Sequence, residues 1–95
     1  MLYHPDEYRK EAVVFKALGH PARLWMVQQL ANNQEHCVSE FVDALQVEYA
    51  TVSKHLAVLK QAGILVDEKR GKHVFYRLDC TCVTGFVTCL KKRSN

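Results

Sequence analysis

The apolar residues first recur at helical spacing and later alternate. Tyr8, Ala12, Phe15 and Leu18 fall on one helical face behind Pro5, with Asp6 and Glu7 suited to a first turn. Gly19-His20 breaks that helix, and Pro21 fits the first position of a second one carrying Leu24, Val27, Gln28 and Ala31. His20 reads as a capping or surface residue, and Trp25 and Met26 as core. Asn32-Asn33-Gln34 is a polar turn. A third helix begins near Ser39 with Phe41, Val42 and Leu45 inside, and Gln46-Val47-Glu48 is a short turn. The next helix spans residues 49 to 61, its apolar side Val52, Leu56 and Leu59, with Gly63 stopping it.

Beyond Gly63 the period changes. Ile64-Leu65-Val66 and His73 to Leu78 read as two strands joined by a charged turn, Asp67 to Lys72, with its glycine at 71. A last helix follows, with Asp79 as its cap and Val83, Phe86, Val87 and Leu90 as its stripe; Lys91, Lys92 and Arg93 complement its dipole. The fold class predicted is α+β, mainly α with a β-hairpin. It is a single winged helix-turn-helix domain over residues 1–95, with helices at both ends forming a dimer interface. Interface candidates are Tyr8 and Phe15 from the first helix and Val83, Phe86, Val87 and Leu90 from the last.

Charge sharpens this picture. Residues 1–50 hold four basic and seven acidic side chains, and residues 51–95 hold nine basic and three acidic ones. The basic half contains the second helix of the helix-turn-helix and the hairpin, which suits double-stranded operator DNA as partner. A helix fits the major groove, so Tyr49, Thr51, Ser53, Lys54 and His55 are candidates for base reading. His55 is equally suited to pack inward. Lys69, Arg70 and Lys72 on the wing would meet phosphates, adding affinity without sequence information.

The uncharged run Cys80 to Leu90 is too short and too broken by Thr and Gly to cross a bilayer. The first residues lack a basic start and an apolar stretch, so no signal peptide and no membrane partner are expected, and a cytoplasmic location is. No phosphate-cradling loop, paired acids or nucleophile–base signature is present, so the chain does not read as an enzyme.

Four cysteines stand at 37, 80, 82 and 89. In a reducing compartment they are packing residues, metal ligands or redox sensors. Cys80 and Cys82 point about 200° apart on a continuous helix and share an ion only if the helix begins after Cys80. Cys82 and Cys89 share a face but lie about 10 Å apart along a straight helix, against the roughly 3.7 Å between sulfurs on one ion. Cys89, beside Phe86, reads as a buried interface residue.

The stretches Ala17-Leu18-Gly19-His20-Pro21-Ala22-Arg23-Leu24, Thr51 to Gly63 and Val74-Phe75-Tyr76-Arg77-Leu78 resemble the ArsR/SmtB family of winged-helix repressors. The resemblance runs from about residue 7 to residue 90. It implies a homodimer that binds its operator without a cofactor until an inducer releases it. One sensor site of that family uses Cys-Val-Cys, where this chain has Cys37-Val38-Ser39. Another uses Asp and His on the last helix, and from Cys80 onward this chain has no His, Asp or Glu. Sulfur remains, and thiolates select soft ions, with arsenite first and other soft metal ions behind it. The candidate trio is Cys37, Cys80 and Cys82. The alternative is a thiol-redox or persulfide-responsive repressor pairing Cys37 with a C-terminal cysteine.

Overall fold

A computed structural model describes residues 1–93. Its elements in chain order are α1 (Arg9–Leu18), α2 (Pro21–Gln29), β1 (His36–Cys37), α3 (Val38–Leu45), α4 (Tyr49–Gln61), β2 (Leu65–Arg70), β3 (His73–Leu78) and α5 (Cys82–Arg93). The α+β winged helix-turn-helix expected from the sequence is present. The predicted bounds of the helix 49–61 and of the strand 73–78 agree with α4 and β3.

Local chemistry explains the element ends. His20 accepts at Nδ1 from the amide of Ala22 (3.1 Å) and so caps α2, with Pro21 at the first helical position. Asn32 and Asn33 both take positive φ in the turn after α2, a conformation Asn tolerates better than most residues. Behind α4, Gly63 (φ +79) lets its own amide reach Lys60 O and that of Ile64 reach Leu59 O, both at 3.0 Å. These two bonds close the Schellman arrangement that stops the helix.

Four local expectations are corrected. The charged stretch 67–72 is not all turn: β2 runs on to Arg70, and only Gly71-Lys72 forms the loop, with Gly71 at φ +61. A two-residue loop opening on a positive-φ glycine matches the twist of the strands it joins. Asp79 does not cap α5, because the helix starts at Cys82 and the Asp79 amide is held by Ile64 O (2.9 Å). Trp25 is 37% exposed rather than core. The first helix starts at Arg9, so Asp6 and Glu7 belong to the turn ahead of it.

A short strand was not anticipated. β1 has two residues and makes the sheet order β1-β3-β2, with His36 opposite Tyr76 and Cys37 opposite Phe75. Cys37 is also the N-cap of α3. Glu40 reaches back with Oε1 to the Cys37 amide (3.0 Å) and with Oε2 to His36 Nδ1 (2.9 Å). These donors hold the Glu40 carboxyl below its ordinary value, the Cys37 amide first.

The core lies between the helices and one face of the sheet: Met26, Val27 and Leu30 of α2, Phe41 of α3, Val52, Leu56 and Leu59 of α4, and Ile64 and Leu65. Val83 and Val87 of α5 are buried as well. Burying such side chains stabilises the fold by about 1.5–3 kcal/mol each. Among the described residues no helix is long and apolar enough to cross a membrane.

Candidate DNA interface and thiol pair

α4 presents the polar residues expected of a reading helix. Tyr49, Thr51 and Lys54 are exposed, and Ser53 is half-buried. His55 is the exception. Its ring turns inward, where its Nδ1 lies 3.2 Å from Arg23 Nη1 and its centroid 4.5 Å from that of His20. Burial first, then the charges of His20 and Arg23, hold His55 below the ordinary histidine value. A helical stripe was there to be read: Val52, His55, Leu56 and Leu59 stand at i, i+3, i+4 and i+7.

The wing splits into two kinds of cation. Lys69 and Lys72 are exposed and, among the described residues, hold no ion pair. Arg70 is committed to acids: it bonds Glu35 through Nη1 (2.7 Å) and Nη2 (2.9 Å), and Glu68 through Nε (2.8 Å). Its guanidinium also lies 4.9 Å from the centre of the Phe75 ring. These contacts raise its pKa, while Arg70 lowers that of Glu35. The Glu35–Arg70 clasp joins residues 35 positions apart and leaves no spacing signal in the sequence.

The thiols separate in the same way. α5 begins at Cys82, so Cys80 lies in the irregular segment ahead of it, and the two Sγ atoms stand 3.3 Å apart. Cys80 is half-buried and Cys82 exposed. The hydrogen bond with Cys82, then burial, raise the Cys80 pKa. The pair lies at one side of an apolar cleft of about 390 Å³ between α1 and α5, lined also by Val14, Phe15, Leu18 and Phe86.

Cys37 is elsewhere in the same chain. It is buried, its Sγ is 3.1 Å from Ser39 Oγ, and it pairs with Phe75, five residues before Cys80. Three residues of strand from Phe75 to the end of β3 alone cover about 10 Å. Among the described residues no group of three or more His, Cys, Asp or Glu in one chain is placed to hold a metal ion. One chain thus brings Cys80 and Cys82 together and leaves Cys37 apart. Cys89 is exposed in the single chain.

The candidate interface residues differ in exposure. Val83 and Val87 are 5% and 6% exposed and pack largely within their own chain. Phe15, Phe86, Leu90 and Tyr8 remain at the surface. Phe15 and Phe86 meet edge to face at 5.8 Å between centroids, joining α1 to α5.

Comparison with known proteins agrees with this architecture. Residues 20–66 match the family model described as bacterial regulatory protein, arsR family. A helix-turn-helix transcriptional regulator of Methanocaldococcus jannaschii is 42% identical over 71 residues, covering 75% of this chain and 80% of that protein. The arsenic resistance transcriptional regulator ArsR1 of Pseudomonas putida is 40% identical over 75 residues, 79% of this chain but 59% of that protein. Among solved structures, the homodimeric winged helix-turn-helix domain of Mycobacterium bovis Mb0332, described as a possible ArsR-family regulator, has a TM-score of 0.80 and 25% identity. It covers 97% of this chain and 91% of that one.

Proposed function

Because the chain belongs to the arsR family of bacterial regulatory proteins, a family of transcriptional regulators rather than enzymes, we propose that it is a homodimeric repressor whose inducer is a thiophilic metal or metalloid, arsenite first. The observation that carries this reading is the 3.3 Å separation of the Cys80 and Cys82 sulfurs beside the α1–α5 cleft. Two sulfurs on one soft ion stand roughly 3.7 Å apart for metal–sulfur bonds of about 2.3 Å. The pair therefore needs little adjustment. Arsenite would exchange two hydroxyls for two thiolates, each leaving as water with a thiol proton. Cys37 is the third sulfur of the proposed set, recruited across the dimer or by movement of β1. The similarity to an arsenic resistance regulator supports arsenite ahead of other soft ions.

DNA would be read by Tyr49, Thr51, Ser53 and Lys54 of α4, with Lys69 and Lys72 of the wing on phosphates. An ion at Cys80 and Cys82 would act on the start of α5 and on α1 across the cleft. Favouring the non-binding geometry by about 1–3 kcal/mol shifts DNA affinity by roughly 5- to 150-fold.

The test is a titration of the reduced protein with arsenite, cadmium and a persulfide donor while following its affinity for a duplex selected from a random-sequence library. Release by arsenite in the wild type and in Cys89→Ser, and its loss in Cys37→Ser, Cys80→Ser and Cys82→Ser, supports the reading. Release by the persulfide donor alone moves the assignment to the redox alternative, in which Cys37 pairs with a C-terminal cysteine. A protein indifferent to all three compounds overturns both.

A further inference from the structure

Arg23 stands where three helices meet. Its Nε donates to the carbonyl of Ala17 in the last turn of α1 (2.5 Å), and its Nη1 lies 3.2 Å from His55 Nδ1 on α4. The residue itself belongs to α2. A guanidinium has only donors, so His55 Nδ1 must accept, and the imidazole is then neutral with its proton on Nε2. His20, whose ring covers that of His55, is fixed in the same sense: its Nδ1 accepts from the Ala22 amide.

We propose that Arg23 is the positioning residue that sets the reading helix α4 against α1, and that its hold requires a neutral His55, so that DNA affinity falls in mild acid. A proton on Nδ1 removes the acceptor and places a second cation against the guanidinium. The charged or titratable groups whose fields reach His55 are His20 from the α1–α2 junction and Arg23 from α2, with no carboxylate among them. Among the described residues, protonation therefore gains no carboxylate partner to offset it. The lowered His55 pKa fits this arrangement: the neutral, locked state is fully populated above the ordinary histidine value and is lost as pH falls below it towards the folded-state value. α1 also carries Phe15, which meets Phe86 of α5. Arg23 thus links α1, which meets the thiol-bearing helix through Phe15, to α4.

The inference rests on α4 as the DNA-reading element, and the experiment separates the two. Affinity for the selected duplex is measured from about pH 8 to about pH 5, carrying the scan well below the ordinary histidine value, in the wild type, His55→Gln, Arg23→Lys and Lys54→Ala. Gln keeps an acceptor and cannot titrate. Expected is a loss of about tenfold on acidification in the wild type, a coupling of ordinary size, and a clearly shallower loss in His55→Gln. Arg23→Lys, which cannot reach both acceptors, binds weakly already at pH 8. Two-bond nitrogen–proton NMR spectra should show His55 Nδ1 unprotonated in the wild type at neutral pH and its acceptor shift lost in Arg23→Lys.

Parallel pH profiles in the wild type and His55→Gln, with Lys54→Ala weakened, overturn the lock and leave the reading helix standing. So does tighter wild-type binding in acid relative to His55→Gln, the sign expected if His55 met a phosphate as a cation. Unchanged binding by Lys54→Ala overturns the reading-helix assignment and the lock with it. If Arg23→Lys does not fold by circular dichroism, His55→Gln and the wild-type NMR spectra decide alone.

Discussion

Arg70 holds both carboxylate oxygens of Glu35, at 2.7 and 2.9 Å, and so ties the wing to the segment that leads into β1. A guanidinium that looks free for phosphate in the sequence is neutralised twice over by Glu35 and Glu68.

Arg70 should therefore contribute less to DNA affinity than its lysine neighbours. Lys69→Ala and Lys72→Ala each reduce the salt dependence of binding by about one unit of log–log slope, as one lost phosphate contact does. Arg70→Ala changes the slope less, and Glu35→Gln tightens binding at low salt by about threefold, on the scale of one exposed charge. Equal slopes for Arg70→Ala and Lys72→Ala, measured by fluorescence anisotropy, contradict this.

The thiol pair distinguishes its ligands by pH. A divalent cation displaces the protons of Cys80 and Cys82, and the raised Cys80 pKa keeps that competition active throughout the neutral range. Cadmium affinity should climb by about tenfold to a hundredfold per pH unit between about pH 6 and pH 8. Arsenite brings its own hydroxyls to carry the protons off as water, so its affinity should stay nearly level. Chelator competition and tryptophan fluorescence of Trp25 provide the two readings.

The exposed aromatic pair on α1 and α5 is the centre of the proposed dimer face. Phe86→Glu should raise the dimer dissociation constant by at least about tenfold, as loss of a central aromatic contact does, while Val83 and Val87 keep the chain folded. Sedimentation equilibrium at micromolar protein reads the outcome, and a fully dimeric Phe86→Glu protein moves the interface elsewhere.

Glu40 is the helix-capping acid whose loss should be felt. Glu40→Ala removes the acceptor for the Cys37 amide and costs about 1 kcal/mol, or about 4–8 °C of Tm in a domain of this size. Its carboxyl sits below the ordinary value, so its contribution is present above that value and lost as pH falls below it. Glu40→Gln retains an acceptor and most of the stability, and thermal melts at neutral and acid pH compare the three proteins.

Much of this molecule is legible in its sequence because helices and hairpins announce themselves locally. Val52, Leu56 and Leu59 mark α4, Pro21 marks the start of α2, and His73 to Leu78 alternate as a strand should. What escapes is what depends on distant partners. β1 has two residues and exists only because β3 offers it an edge. Glu35 and Arg70 are 35 positions apart. Val83 and Val87 read as an exposed stripe in the sequence, yet both are buried within the single chain. Arg23 and His55 were accessible in part, since each falls on the apolar stripe of its helix, Arg23 with Met26, Val27 and Leu30. The helix start after Cys80 was the condition for the thiol pair to meet, and it is satisfied; the separation of Cys37 from that pair within one chain follows from a strand too short to recognise.

Cys37 is at once the last residue of a strand and the cap of the next helix. No residue separates β1 from α3, because Cys37 serves both roles. Release of β1 from β3 and fraying of the first turn of α3 are therefore expected to be coupled. Amides in α3 and in the middle of β3 should exchange with solvent at a common protection factor, as parts of a single foldon, while the N-terminal turn ahead of α1 exchanges far sooner.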